Sequence, residues 1–162
     1  MIHLTRADYR VMPWANGKGQ TVEMLREDGP EGMRLRLSMA AVVEPGAFSI
    51  FPGIERVLTV IDGPGFDLHG DGLLLRCDPL LPVAFPGDVP IRAERVSAPS
   101  MDFNVMVARG LPAPQVQVLR QGKVAAPQGG RVCLLALDSG DLWISDAELR
   151  VPGLSIAVQL GF

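Results

Sequence analysis

The sequence predicts an all-β protein, a small barrel of short strands, and three observations carry that reading. From Arg34 to Val43 the residues alternate, with Leu35, Leu37, Met39, Ala41 and Val43 on one face and Arg34, Arg36, Ser38, Ala40 and Val42 on the other, the period-2 pattern of a strand. Eighteen glycines and 14 prolines punctuate short apolar runs, as turns do in β proteins. No stretch sustains helical periodicity beyond about two turns.

Taken in order, the chain opens on a strand-like run from His3 to Met12. Asn16-Gly17 then signals a hairpin, because a tight turn needs φ above zero at its centre, and Thr21 to Leu25 forms the return strand. The glycines around Lys18 do not make a phosphate loop, since the Walker pattern requires Ser or Thr after the lysine and Gly19 stands there. After the strand Arg34–Val43 come two turns, Glu44-Pro45-Gly46 and Phe51-Pro52-Gly53, in which proline presets φ and glycine accepts positive values. The run Arg56 to Ile61 is mostly apolar on both faces, with Arg56 its one charge, so it reads as a central strand with that charge at the rim.

Phe66 to Leu75 is a hairpin about Gly70-Asp71-Gly72, and Leu80 to Phe85, interrupted by Pro82, is an edge strand. Val89 to Val96 follows. In Met101 to Ala108 the residues Asp102, Asn104 and Met106 share one face and Phe103, Val105 and Val107 the other, an arrangement suited to lining a pocket. Leu111-Pro112-Ala113-Pro114 marks a boundary. Beyond it, Gln115–Leu119, Arg131–Asp138, Leu142–Ser145 and Ser155–Leu160 read as strands and Asp146–Arg150 as a helical turn.

With 48% apolar and 20% charged residues, the chain buries a sizeable core as one domain and is not disordered. A net charge of −3 offers no electrostatic footprint for nucleic acid and no basic face for lipid. The N-terminal MIHLTRADYR is too polar for a signal peptide, and no apolar run reaches the roughly 20 residues of a membrane span. A cytoplasmic protein without nucleic-acid or membrane partners is expected. Cys77 and Cys133 show no metal-type spacing and read as free thiols.

Several motifs then fall in one order: Trp14-x-Asn16-Gly17-x-Gly19-x-Thr21-x-Glu23, Arg36-Leu37-Ser38-Met39-Ala40, Gly46-x-Phe48-Ser49-x-Phe51-Pro52-Gly53-Ile54-x-Arg56, Phe85-x-Gly87-Asp88 and Asp102-Phe103-Asn104-x-Met106. As a set they resemble the HutD/Ves family over roughly residues 10 to 110. The resemblance implies a cupin-type double-stranded β-helix of the RmlC-like kind, a bicupin of two fused β-barrel halves. The halves would lie at about 30–110 and 111–162, the second completed by the N-terminal strands 1–29. The sequence departs from the family at Leu35, where tryptophan is common, and at Lys18, where glycine is common.

Many cupins hold a metal with clustered His and Glu, and Ile54-Glu55-Arg56 lies where the resemblance would place a His-x-His segment. A cation at Arg56 repels a metal ion, and only His3 and His69 are present. Glu23, Glu55, Asp88 and Asp102 remain as oxygen donors. No metal and no cofactor are therefore expected. Nucleophilic catalysis needs a positioned histidine, and His3 at the terminus and His69 beside a turn do not supply one. Glu55, Asp102 and Tyr9 are the remaining acid-base candidates, with no catalytic assignment.

What the residues favour is a binding pocket. Arg56 and Asn104 stand in runs that otherwise read as buried, and a buried guanidinium requires a partner. That partner is either an internal carboxylate, from Glu55, Glu23 or Asp102, or the carboxylate of a ligand, whose two oxygens match the guanidinium fork. Asn104 and Asn16 suit an amide or formyl group, and Trp14, Phe48 and Phe51 suit the walls. Arg36, Ser38 and Asp102 complete the candidate set. Three functional classes follow: a non-catalytic carboxylate binder regulating or sensing histidine utilisation, a metal-independent isomerase or epimerase acting on a small polar substrate, and a structural or partner-binding protein. The pathway implied by the resemblance suggests formylglutamate or urocanate as ligand. The oligomeric state stays open, a homodimer included.

Overall fold

The computed structural model describes the whole chain, Met1–Phe162. It is built of strands, with a single 3-10 turn at Arg6–Asp8. No helix is long and apolar enough to cross a membrane. The chain divides into two compact units, Arg10–Arg109 and a second made of Met1–Tyr9 with Gly110–Phe162.

The first strand, β1 (Ile2–Leu4), is shorter than the expected run from His3 to Met12. Thr5 breaks that run, because its N–H and its hydroxyl both donate to Asp8 Oδ2, at 2.7 and 3.0 Å. Local side-chain bonds of this kind compete with a ladder and turn the chain.

The unit Arg10–Arg109 contains β2 (Arg10–Pro13), β3 (Gln20–Gly29), β4 (Gly32–Val42), β5 (Gly46–Ala47), β6 (Ile54–Asp62), β7 (Phe66–Gly70), β8 (Leu73–Cys77), β9 (Val83–Pro86), β10 (Ile91–Glu94) and β11 (Ser100–Ala108). Six of these form an antiparallel sheet in the order β2-β3-β4-β11-β6-β9, and four form a second, β5-β10-β7-β8. Val42, Leu58, Val60 and Phe85 from the first sheet and Phe66, Leu68, Cys77, Ile91 and Ala93 from the second make one buried apolar cluster. The two sheets therefore face each other across it, as in a cupin-type double-stranded β-helix.

The sheets do not close into a barrel as expected from the sequence. The edges of the larger sheet end on Pro13 in β2 and Pro86 in β9, and proline has no N–H to extend a ladder. β6 lies between β11 and β9, flanked on both sides. The hairpin at Asn16-Gly17 forms with a wider loop: the ladder closes at Pro13–Gln20, Gly17 takes φ 70°, and the Trp14 N–H donates to Gly19 O at 2.9 Å.

The other unit holds β1 with β12 (Gln115–Leu119), β13 (Lys123–Val124), β14 (Arg131–Ala136), β15 (Leu142–Ser145), β16 (Leu149–Arg150) and β17 (Ser155–Leu160). Its five-stranded sheet runs β1-β15-β14-β17-β12, and β13 pairs with β16. Val124, Val132, Leu134, Leu149, Val151 and Ala157 form its buried cluster. Two expectations are corrected here. Only β1 of the N-terminal strands joins this unit, because β2 and β3 pair in the sheet of β4. Asp146–Arg150 is not a helical turn: after a bend, Leu149 and Arg150 pair with Val124 and Lys123, which places Leu149 in the cluster.

Cys77 and Cys133 form no disulfide and are fully buried. Burial pushes the Cys77 thiol up to about 12, and the thiolate is the reactive form. Native protein should therefore resist a thiol-labelling reagent at pH 8 and take up two labels per chain only when denatured. Rapid labelling of the native protein would show that the cluster around Cys77 opens.

Candidate functional site

The strand register builds the site. Antiparallel pairing sets β4, β11 and β6 side by side, so that Ala40, Asp102 and Val60 form one rung, Ser38, Asn104 and Leu58 the next, and Arg36, Met106, Arg56 and Phe85 of β9 a third. Because side chains alternate across a strand, these rungs share one face. Phe103, Val105 and Val107 occupy the opposite face of β11 and are fully buried. A bulge in β3 at Met24, between the pairs Glu23–Ser38 and Leu25–Leu37, places Glu23 beside Arg36.

This face lines a cavity of about 560 Å³. All nine candidates from the sequence border it: Trp14, Asn16, Arg36, Ser38, Phe48, Phe51, Arg56, Asp102 and Asn104. Neither histidine does. His3 stacks on Trp143 and contacts Asp141 at 2.8 Å, and His69 sits half-exposed near Asp67.

Arg56 is 5% exposed and has no carboxylate within ion-pair distance. Each carboxylate proposed as its partner is committed elsewhere or out of reach. Glu55 pairs with Arg109 at 2.6 Å, and Glu23 accepts from Arg36 Nε at 2.8 Å. Asp102 is reached only through an amide: Arg56 Nη2 donates to Asn104 Oδ1 at 2.6 Å, and Asn104 Nδ2 donates to Asp102 Oδ1 at 2.6 Å. Arg56 Nε is buried with no partner. The guanidinium carbon lies 5.4, 5.3 and 5.0 Å from the ring centres of Phe48, Phe51 and Phe85. Their negative faces partly replace the lost hydration, each by about 0.5–2 kcal/mol. Desolvation pushes Arg56 down to about 10, so it remains a cation at neutral pH.

The expected position of Arg56 at a rim is thus corrected: it lies inside, fixed by the loop that precedes it. Phe51-Pro52-Gly53-Ile54 has proline and then glycine at φ 71° as its central residues, with Ile54 N–H donating to Phe51 O at 3.3 Å. These are the requirements of a type II turn. Gly87 locks this turn, donating to Ile54 O at 2.7 Å and accepting from Phe51 N–H at 2.8 Å. A Cβ at Gly87 would stand 2.9 and 3.0 Å from those backbone oxygens, so only glycine fits without displacing the loop that carries Phe51. Outside, Arg109 bridges Glu55 and Asp88, holding the Asp88 carboxyl down at about 2.

Asp102 is 1% exposed, and burial pushes its carboxyl up to about 7 against the pull of Arg56 and the Asn104 bond. Asn104 is a strut between the two, with both ends engaged. Asn16 spends its side-chain oxygen on the Lys18 N–H at 2.9 Å, which shapes the loop. Trp14 Nε1 donates to Thr21 Oγ1 at 3.0 Å, standing the indole at the cavity edge. Sequence reasoning missed Phe85 as the third ring on Arg56 and Glu23 as the partner of Arg36. Both stand in the recurring motifs, but their roles arise from cross-strand pairing that one sequence does not display.

The donor set does not suit the metal that many cupins carry. Glu55 is held outside by Arg109, a cation occupies the neighbouring position, and no three His, Cys, Asp or Glu side chains converge anywhere in the chain.

The chain is 41% identical over 113 residues to an uncharacterized 21.2 kDa protein in the hutC 3′ region of Pseudomonas putida, covering 66% of this chain and 58% of that relative's length. It is 33% identical to Protein Ves of Cronobacter sakazakii over 138 residues, 80% of this chain and 75% of that one. The solved structure of HutD from Pseudomonas fluorescens SBW25 superposes with a TM-score of 0.83 at 30% identity, covering 98% of this chain and 97% of the other. The HutD family model matches residues 6–155, and the chain belongs to the HutD family.

Proposed function

We propose that the cavity binds a small carboxylate and that the protein is a non-catalytic, cytoplasmic binding protein that senses such a ligand in histidine utilisation. The observation that carries this reading is the buried Arg56, which meets an amide, three aromatic rings and no carboxylate, with Nε unpartnered. An unpaired buried donor costs about 1–3 kcal/mol, more when charged. A carboxylate at Nε and the adjoining Nη would supply the missing bonds in the bidentate geometry that the guanidinium fork favours.

The similarity to a protein from a hutC region points to histidine breakdown, whose intermediates include urocanate and formylglutamate. The structure of Pseudomonas fluorescens HutD is described for a formate condition, and formate is the smallest carboxylate.

A thermal-shift panel of formate, acetate, formylglutamate and urocanate, with the corresponding amides as controls, tests the proposal. A carboxylate at a hundred times its dissociation constant adds about 2.7 kcal/mol of stability. The carboxylates should raise the melting temperature of wild type and the amides should not. Equal behaviour of acids and amides would remove Arg56 from ligand recognition.

A further inference from the structure

We propose that the cavity takes up its carboxylate together with one proton, Asp102 being the group that receives the proton and Asn104 the link between it and Arg56. This rests on the carboxylate-binding reading above and adds the charge state in which the site binds.

In the ligand-free cavity the positive charge of Arg56 is balanced at one remove. Asn104 accepts from Arg56 and donates to Asp102, both at 2.6 Å, and the three residues are 5%, 4% and 1% exposed. The other charged pair, Arg36 with Glu23, is satisfied within itself at 2.8 Å. With Asp102 ionised, the cavity is neutral overall. A carboxylate arriving at Arg56 would leave one excess negative charge in a place poorly screened by water. Protonating Asp102 removes that excess. It breaks no bond, because a protonated carboxyl still offers an oxygen to Asn104 Nδ2.

The groups facing Asp102 leave it as the proton acceptor. Arg56 on β6 and Arg36 on β4 are cations, and Glu23 on β3 is held by Arg36. Cys77 on β8 stays a neutral thiol, since burial pushes it up to about 12. β9 contributes Phe85, and the remaining neighbours on β11, Asn104 and Met106, do not titrate. Asp102 itself lies near 7, held there by burial against the attraction of Arg56. A ligand carboxylate cancels that attraction and raises Asp102 further. By linkage, the proton strengthens carboxylate binding by the same factor. The sign follows: affinity is highest and flat below pH 7, then falls by up to tenfold per unit as pH rises, because each binding event must then draw a proton from solvent.

Acetate is the probe, being fully ionised above pH 6, with its dissociation constant read from NMR titrations at pH 6 and pH 8. Wild type should bind about five- to tenfold more weakly at pH 8. Asp102→Asn, which mimics the protonated carboxyl, should lose the pH dependence and bind equally at both pH values. A ligand-free reading accompanies this. An aspartate raised in the folded state loses stability as pH climbs through its folded value, so the melting temperature of Asp102→Asn relative to wild type should rise between pH 5 and 8. If acetate binds wild type equally at both pH values and Arg56→Met abolishes that binding, proton uptake is overturned and the carboxylate site stands. Should acetate leave the cavity resonances unmoved at every pH, the carboxylate reading falls, and proton uptake with it.

Discussion

Arg56→Met should weaken carboxylate binding by about 10- to 150-fold and leave the ligand-free protein as stable as wild type or more so. The affinity loss corresponds to the roughly 1.5–3 kcal/mol of a charge-assisted hydrogen bond. The stability expectation comes from the same geometry. Removing one member of a buried ion pair usually costs about 3–5 kcal/mol, because a partner charge is stranded, whereas an apolar replacement of similar volume is often neutral or stabilising. Arg56 has no carboxylate in direct contact to strand, Asp102 behind Asn104 takes up a proton once the cation is gone, and the surrounding Phe48, Phe51 and Phe85 suit a methionine. Asn104 Oδ1 would lose its donor but faces the cavity, where water can replace it. Calorimetric affinity and ligand-free melting temperature, measured on the same preparations, separate the two effects. Unchanged affinity with lost stability would reduce Arg56 to a structural role.

Phe66→Ala should lower stability by about 3–5 kcal/mol, the usual cost of deleting a buried phenylalanine. In a chain of this size that is a fall in melting temperature on the order of 10 °C. Phe66 is fully buried between the two sheets of the Arg10–Arg109 unit. It meets Phe48 edge-on, with ring centres 6.2 Å apart and planes at 65°, and Phe48 is one of the three rings on Arg56. The substitution should therefore also loosen Phe48 and weaken carboxylate binding at temperatures where the protein is still folded. Denaturant melts and binding at 10 °C check both parts. A loss under about 1 kcal/mol would mean that the apolar layer collapses around the deletion.

These substitutions touch two kinds of information in the chain. The alternation in Arg34–Val43 and Met101–Ala108 was enough to place Arg36 with Ser38, and Asp102 with Asn104, on common faces, because side-chain direction along a strand is a local property of the backbone. Turn chemistry was equally legible: Phe51-Pro52-Gly53 and Asp71-Gly72 form where proline and glycine set φ. Local bonds were harder to read. Thr5 and Asp8 broke a run whose pattern was extended, and within Asp146–Arg150 only Leu149 and Arg150 became a strand, because β13, distant in sequence, offered them a ladder.

The sequence by itself determined the all-β class, the main strands and the residue types that border the cavity. Tertiary structure decided the pairings. Whether any carboxylate would meet Arg56 depended on the register of β11 between β4 and β6, with its irregularity at Met101 and Asp102, and on the bulge at Met24 that gives Glu23 to Arg36. Register is fixed by burial of whole faces across strands distant in the chain, so composition and spacing carry no record of it. The same holds for Asp102. Its place on a polar strand face was visible, but its charge is set by desolvation and by a cation two hydrogen bonds away, and both exist only once the sheets have closed over the cavity.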